Sequence, residues 1–110
     1  MDADNVPGLL GVLAEPNRFR IVELLRGGPR PVNGIVEALG LGQPQVSRHL
    51  KVLGEAGFVT AHRQAQQRIY RLRPEPFQEI DAWFATFARI WEDRLDRLDA
   101  LLADDEGNAP

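Results

Sequence analysis

Apolar residues fall at helical spacing over most of this chain and at strand spacing over one short stretch. Between residues 43 and 54, Val46, Leu50 and Leu53 recur at the four-then-three interval that gathers one face of an α-helix. Pro44, Ser47, Arg48 and Lys51 take the opposite face, so this helix is apolar inward and polar and basic outward. Just upstream, Val32, Ile35, Val36 and Leu39 predict a short helix over residues 32–39. The turn between them is Gly40-Leu41-Gly42, in which Gly40 suits the positive-φ position that closes one helix and Gly42 the N-cap of the next. Pro44 falls in the first helical turn, where a missing N–H costs nothing.

The flanks add four further elements. Residues 57–63 and 68–72 are rich in β-branched and aromatic side chains and enclose Gln64, Ala65, Gln66 and Gln67, the pattern of a β-hairpin with a polar tip. Residues 8–14 form a short apolar segment, and residues 16–26 a stronger helix expected to supply Phe19, Ile21, Val22, Leu24 and Leu25 to the core. Gly27, Gly28, Pro29 and Pro31 break the chain before the next helix. From Pro76 onward, Phe77, Ile80, Phe84, Phe87, Trp91, Leu95, Leu98 and Leu102 make a seam nearly as regular as that of a coiled coil, widened by Trp83, Ile90 and Leu101. A helix of about 28 residues runs about 42 Å, longer than a small core can cover, so the excess apolar surface calls for a partner. A second copy about a two-fold axis is the simplest partner; a helix folded back on its own domain is the alternative. Asp93 and Arg97, four apart, suit a surface ion pair.

Two helices joined by a short Gly-containing turn carry the helix-turn-helix signature, and a hairpin placed after them is the wing. The expected fold class is therefore mainly α with a small β-hairpin, a winged helix-turn-helix with a long C-terminal dimerisation helix. An ordinary helical hairpin of a small bundle shares the two helices but explains neither the basic outer face nor the hairpin. Gln43 and Gln45, with Ser47 and Arg48, lie where such a helix meets base edges, glutamine being able to pair bidentately with adenine and arginine with guanine. Lys51, Arg63 and Arg68 suit phosphates, and Gln66 and Gln67 complete the hairpin tip, although a solvated hairpin end has the same composition.

The formal net charge of −3 looks wrong for a partner of double-stranded DNA until it is counted by region. Residues 41–73 hold six basic groups against one acid, Glu55, whereas residues 74–110 hold three arginines against ten acids. A phosphate backbone feels the local charge, because exposed groups are screened over about 8 Å at physiological salt. With 110 residues and 44% apolar content the chain supports one core. The expected organisation is a flexible N-terminus over 1–7, a DNA-binding core over 8–73, the dimerisation helix over 74–103 in the same domain, and an acidic disordered tail over 104–110. The chain has no cysteine, no apolar run long enough to span a membrane and no signal-peptide pattern, so the expected location is the cytoplasm. Catalysis is not indicated: Ser47 is the only serine, and neither a phosphate-cradling Gly loop nor an evident carboxylate pair stands out.

Residues 13–25, LeuAlaGluProAsnArgPheArgIleValGluLeuLeu, resemble the second-helix signature of the ArsR/SmtB family of bacterial transcriptional repressors. Residues 37–59, from GluAlaLeuGlyLeuGly through GlnValSerArgHisLeuLysValLeuGly to GlyPheVal, resemble the same family's recognition helix and the start of its wing. The resemblance covers about residues 8–100. It implies a dimer built on the first and last helices, which here brings in Leu9, Leu10 and Leu13 with Phe84, Phe87, Trp91, Leu95, Leu98 and Leu102. It also implies repression by occupancy of a palindromic operator. Many family members release DNA on binding a metal ion, and that property does not carry over. The Cys-rich site corresponds here to Pro31 and Asn33, and the last-helix site to Asp81, Trp83, Arg94 and Arg97, of which Asp81 alone is a plausible ligand. His49 and His62 lie on the recognition helix and the hairpin and suit packing or solvation better than ligation. No metal or cofactor is indicated, and the inducer is left open between an apolar ligand held by the aromatic last helices and control by protein level alone. Ala65 stands where the family often has Gly at the wing tip. The rival reading is a winged helix serving as a protein-interaction scaffold without specific DNA binding.

Overall fold

The computed structural model describes residues 5–107, with side-chain surroundings for 5–103. In chain order the elements are α1 (Val6–Ala14), α2 (Pro16–Leu25), β1 (Arg30–Pro31), α3 (Val32–Leu39), α4 (Gln43–Glu55), β2 (Val59–Gln64), β3 (Gln67–Leu72) and α5 (Glu75–Gly107). They divide into two compact units, residues 1–80 and residues 81–110.

In the first unit, one core gathers Leu9 from α1, Ile21, Val22 and Leu25 from α2, Ile35 and Leu39 from α3, Val46, Leu50 and Leu53 from α4, and Phe58 and Val59 at the start of the sheet. Phe58, which has no solvent exposure, meets Phe77 edge-on with ring centres 5.1 Å apart. Burying each such aliphatic or aromatic side chain stabilises the fold by about 1.5–3 kcal/mol, so the α4 face alone is a major part of the core. The turn between α3 and α4 takes the form expected. Gly40 closes α3 at φ +70°, its N–H donating to the Val36 carbonyl, and Gly42 in extended conformation is the N-cap of α4.

The hairpin acquires a third strand. Arg30 pairs with Tyr70 and Pro31 with Ile69, so the sheet runs β1-β3-β2, antiparallel throughout. Pro31 is tolerated because β1 is an edge strand. In β2 and β3 the strands reach Gln64 and Gln67, which leaves a turn of Ala65 and Gln66 with Ala65 at φ +57°.

Several expectations are corrected. α1 begins at Val6, within the segment expected to be a flexible terminus, and Val6 is buried; Asn5 Nδ2 donates to Glu79 Oε2 at 2.8 Å, tying this end to the second turn of α5. Residues 1–4 of that segment lie outside the described residues. Phe19 is 53% exposed rather than core, because it lies about 60° beyond Val22, at the outer edge of the buried stripe that runs through Ile21, Leu25 and Val22. Leu24 is half-buried on the flank of that stripe.

In the second unit α5 continues as a helix to Gly107, making 33 residues in all, about 50 Å. Residues 104–107 of the expected disordered tail are therefore helical, and residues 108–110 lie outside the described residues. Phe84, Phe87, Ile90, Trp91, Leu95, Leu98, Leu101 and Leu102 are all exposed along this helix. Trp83 packs edge-on against Phe84 and Phe87, and the Arg94 guanidinium lies 5.5 Å from the centre of the Trp91 ring. Among the described residues the ion pairs are Arg26–Glu23, His49–Glu15 and Arg73–Glu75, so the expected Asp93–Arg97 pair is not formed.

Candidate nucleic-acid interface

α4 is divided along its length. Val46 and Leu53 have no exposure and Leu50 nearly none, whereas Gln43, Pro44, Gln45, Ser47, Arg48 and Lys51 are exposed. Among the described interactions none of Gln43, Gln45, Ser47, Arg48 and Lys51 is held by a side-chain hydrogen bond or ion pair within the chain. Their donors and acceptors are therefore free to meet an external partner. Gly42 supplies no side-chain cap, so the first turn of α4 carries uncapped backbone N–H groups at the positive end of the helix dipole.

The sheet adds cations. Arg63 on β2 and Arg68 on β3 are register partners, and Arg68, Tyr70 and the Tyr70 partner Arg30 share one sheet face by the two-residue alternation of strands. Arg30, Arg63 and Arg68 are exposed, as are Gln66 in the turn and Gln67 at the head of β3. Arg30 joins this face because β1 pairs with β3, which its two-residue Arg-Pro sequence does not advertise.

Of the other arginines, four are engaged at home, Arg73 through its ion pair with Glu75 at 3.5 Å. Arg18 Nε donates to the Val12 carbonyl at 2.7 Å, Arg20 donates to the Leu39 carbonyl at 3.4 Å, and Arg26 pairs with Glu23 at 3.3 Å. His62 is exposed on β2 and His49 is half-buried on the flank of α4. Of the residues expected at a dimer interface, Leu9 is only 4% exposed within the single chain, since Val6 and Leu9 are the stripe of α1 that enters the core. Leu10 and Leu13 on the neighbouring stripe are half-buried, and Phe84, Phe87, Trp91, Leu95, Leu98 and Leu102 are exposed. Among the described residues no three His, Asp or Glu side chains cluster, and no helix is long and apolar enough to cross a membrane.

A helix with one buried and one free polar face, reached through a Gly turn and followed by a cationic antiparallel sheet, defines a winged helix-turn-helix. Comparison with known proteins agrees. Residues 15–61 match the family described as bacterial regulatory protein, arsR family. The HTH-type transcriptional repressor SmtB of Mycobacterium tuberculosis is 48% identical over 64 residues, 58% of this chain and 47% of that protein. The crystal structure of a possible transcriptional regulator for arsenical resistance is 41% identical with a TM-score of 0.66, over 84% of this chain and 93% of that one. A homodimeric winged helix-turn-helix DNA-binding domain from Mycobacterium bovis, a possible ArsR-family regulator, is 28% identical with a TM-score of 0.61, over 86% of this chain and 84% of that one. The chain belongs to the ArsR family of bacterial regulatory proteins. It spans about half the length of the SmtB repressors it matches.

Proposed function

We propose that this chain is a homodimeric transcriptional repressor that occupies an inverted-repeat operator in double-stranded DNA and does not respond to metal. The observation that carries the reading is the free polar row of Gln43, Gln45, Ser47, Arg48 and Lys51 on a helix whose other face is fixed in the core. Gln43, Gln45, Ser47 and Arg48 read base edges, and Lys51, Arg63 and Arg68 hold phosphates, with Gln66 and Gln67 at the wing tip. The exposed apolar stripe of α5 from Phe84 to Leu102, with Leu10 and Leu13 of α1, pairs two copies. A two-fold dimer sets two reading helices about 34 Å apart, one turn of duplex, which makes the operator palindromic.

Metal independence rests on donor chemistry. Pro31 and Asn33 offer no thiolate or imidazole, and one carboxylate, Asp81, with Arg94 and Arg97 does not make a zinc site. The reading assigns no catalytic step and places the protein in the cytoplasm, where a bacterial operator lies. Selection of duplexes from random sequence, followed by footprinting, tests it. A palindromic site protected in two successive major grooves, with affinity unchanged by zinc, is the expected result. Weak, salt-sensitive binding without preference would instead favour a protein-interaction scaffold.

A further inference from the structure

We propose that Glu15 is a positioning residue for DNA reading, holding His49 and thereby fixing the roll of α4 about its own axis. This rests on the repressor reading given above.

Glu15 is the N-cap of α2, where Ser, Thr, Asp and Asn are the preferred residues. Its Oε2 accepts the Arg18 backbone N–H at 2.9 Å, and Arg18 Nε in turn donates to the Val12 carbonyl in the last turn of α1 at 2.7 Å. The carboxylate is thus anchored at the corner between α1 and α2. That same Oε2 lies 3.7 Å from Nδ1 of His49, too long for a hydrogen bond but within ion-pair range when the imidazole is protonated. The two side chains are 30% and 20% exposed, so solvent screens the contact only in part.

The place of His49 in the sequence gives the contact its consequence. It stands between exposed Arg48 and buried Leu50, on the flank where the apolar stripe of α4 meets its polar face. The stripe itself is held by non-directional packing of Val46, Leu50 and Leu53, which tolerates a small rotation of the helix. A roll of about 20° moves groups at an outer radius of about 5–6 Å by about 2 Å, more than a base-edge hydrogen bond accepts. With His49 protonated, the Glu15 carboxylate anchored on α2 attracts the flank of α4 and opposes that roll.

The test is a double-mutant cycle on the full chain, read on a duplex that the wild-type protein selects from random sequence and on a scrambled duplex. Glu15→Asp keeps a good cap acceptor but is one methylene too short to cap α2 and reach His49 together. Glu15→Asp and His49→Gln are each expected to weaken binding to the selected duplex by about threefold to tenfold while binding to the scrambled duplex changes by less than about twofold. The double variant should lose no more than the worse single one. Where Glu15→Asp folds poorly, Glu15→Gln removes the charge at full length and carries the same expectation. Wild-type behaviour of these Glu15 variants, equal losses on both duplexes, or losses that multiply in the double variant would overturn the positioning role and leave the repressor reading standing. A wild-type protein that enriches no duplex would overturn both.

Discussion

Arg63 on β2 and Arg68 on β3 stand directly opposite each other in the hairpin ladder, with no acid in the residues between them. Like charges in cross-strand register oppose pairing by a few tenths of a kcal/mol to about 1 kcal/mol, and an anion between them reverses the sign. Arg68→Ala should therefore leave the free protein as stable or slightly more so. It should weaken binding to every duplex and reduce the slope of log affinity against log salt by about 0.9 for each phosphate left without its cation. Binding titrations across a salt series and a thermal melt of the free protein check both halves.

Arg48 lies on the exposed face of α4 that is proposed to read bases, not on the hairpin, and its loss should discriminate. Arg48→Ala is expected to cost about 1–3 kcal/mol on the selected operator and much less on scrambled DNA, with specificity relaxed at one base position. An equal loss on both duplexes would move Arg48 to the phosphate-binding set.

Ala65 holds φ +57° at the first position of the wing turn, a conformation that costs an L-residue about 1–2 kcal/mol. Gly has no such penalty but gives up about 0.5–1 kcal/mol of chain entropy. Ala65→Gly should thus raise stability by up to about 1 kcal/mol, read as a higher denaturation midpoint, and Ala65→Val should lower it.

Leu53 is fully buried on the inner face of α4. Leu53→Ala should destabilise the fold by about 2–5 kcal/mol, measured by chemical denaturation. Specific and non-specific DNA binding should then fall together, because the fraction folded falls, in contrast to Arg48→Ala.

Trp91 is 58% exposed at the middle of the α5 stripe, and Leu98 lies seven residues further along the same seam. Replacing Leu98 by Asp puts a charge where an apolar partner surface is proposed, and burial of an unpaired charge is strongly unfavourable. Leu98→Asp should shift sedimentation from dimer to single subunit at micromolar concentration while the helical signal of the first unit persists. Unchanged sedimentation would remove the stripe from the dimer interface.

The sequence alone determined the pair α3 and α4, the turn between them, and the long last helix. Each is written in local terms: an apolar period of three and four, Gly40 at the only kind of position that needs positive φ, and a proline where no N–H is missed. The exposed polar face of α4 followed from the same period, since once Val46, Leu50 and Leu53 point inward, Arg48 and Lys51 have nowhere else to go. Tertiary structure alone decided the rest, because it depends on residues far apart in the chain. Arg30 and Pro31 become a strand only when Ile69 and Tyr70 arrive beside them, and Glu15 meets His49 only once α2 and α4 share a core. Apolar period names the faces that could be buried without saying which are covered, which is why Leu9 turned inward, Phe19 stayed in solvent and Val6 began a helix where a loose terminus was expected.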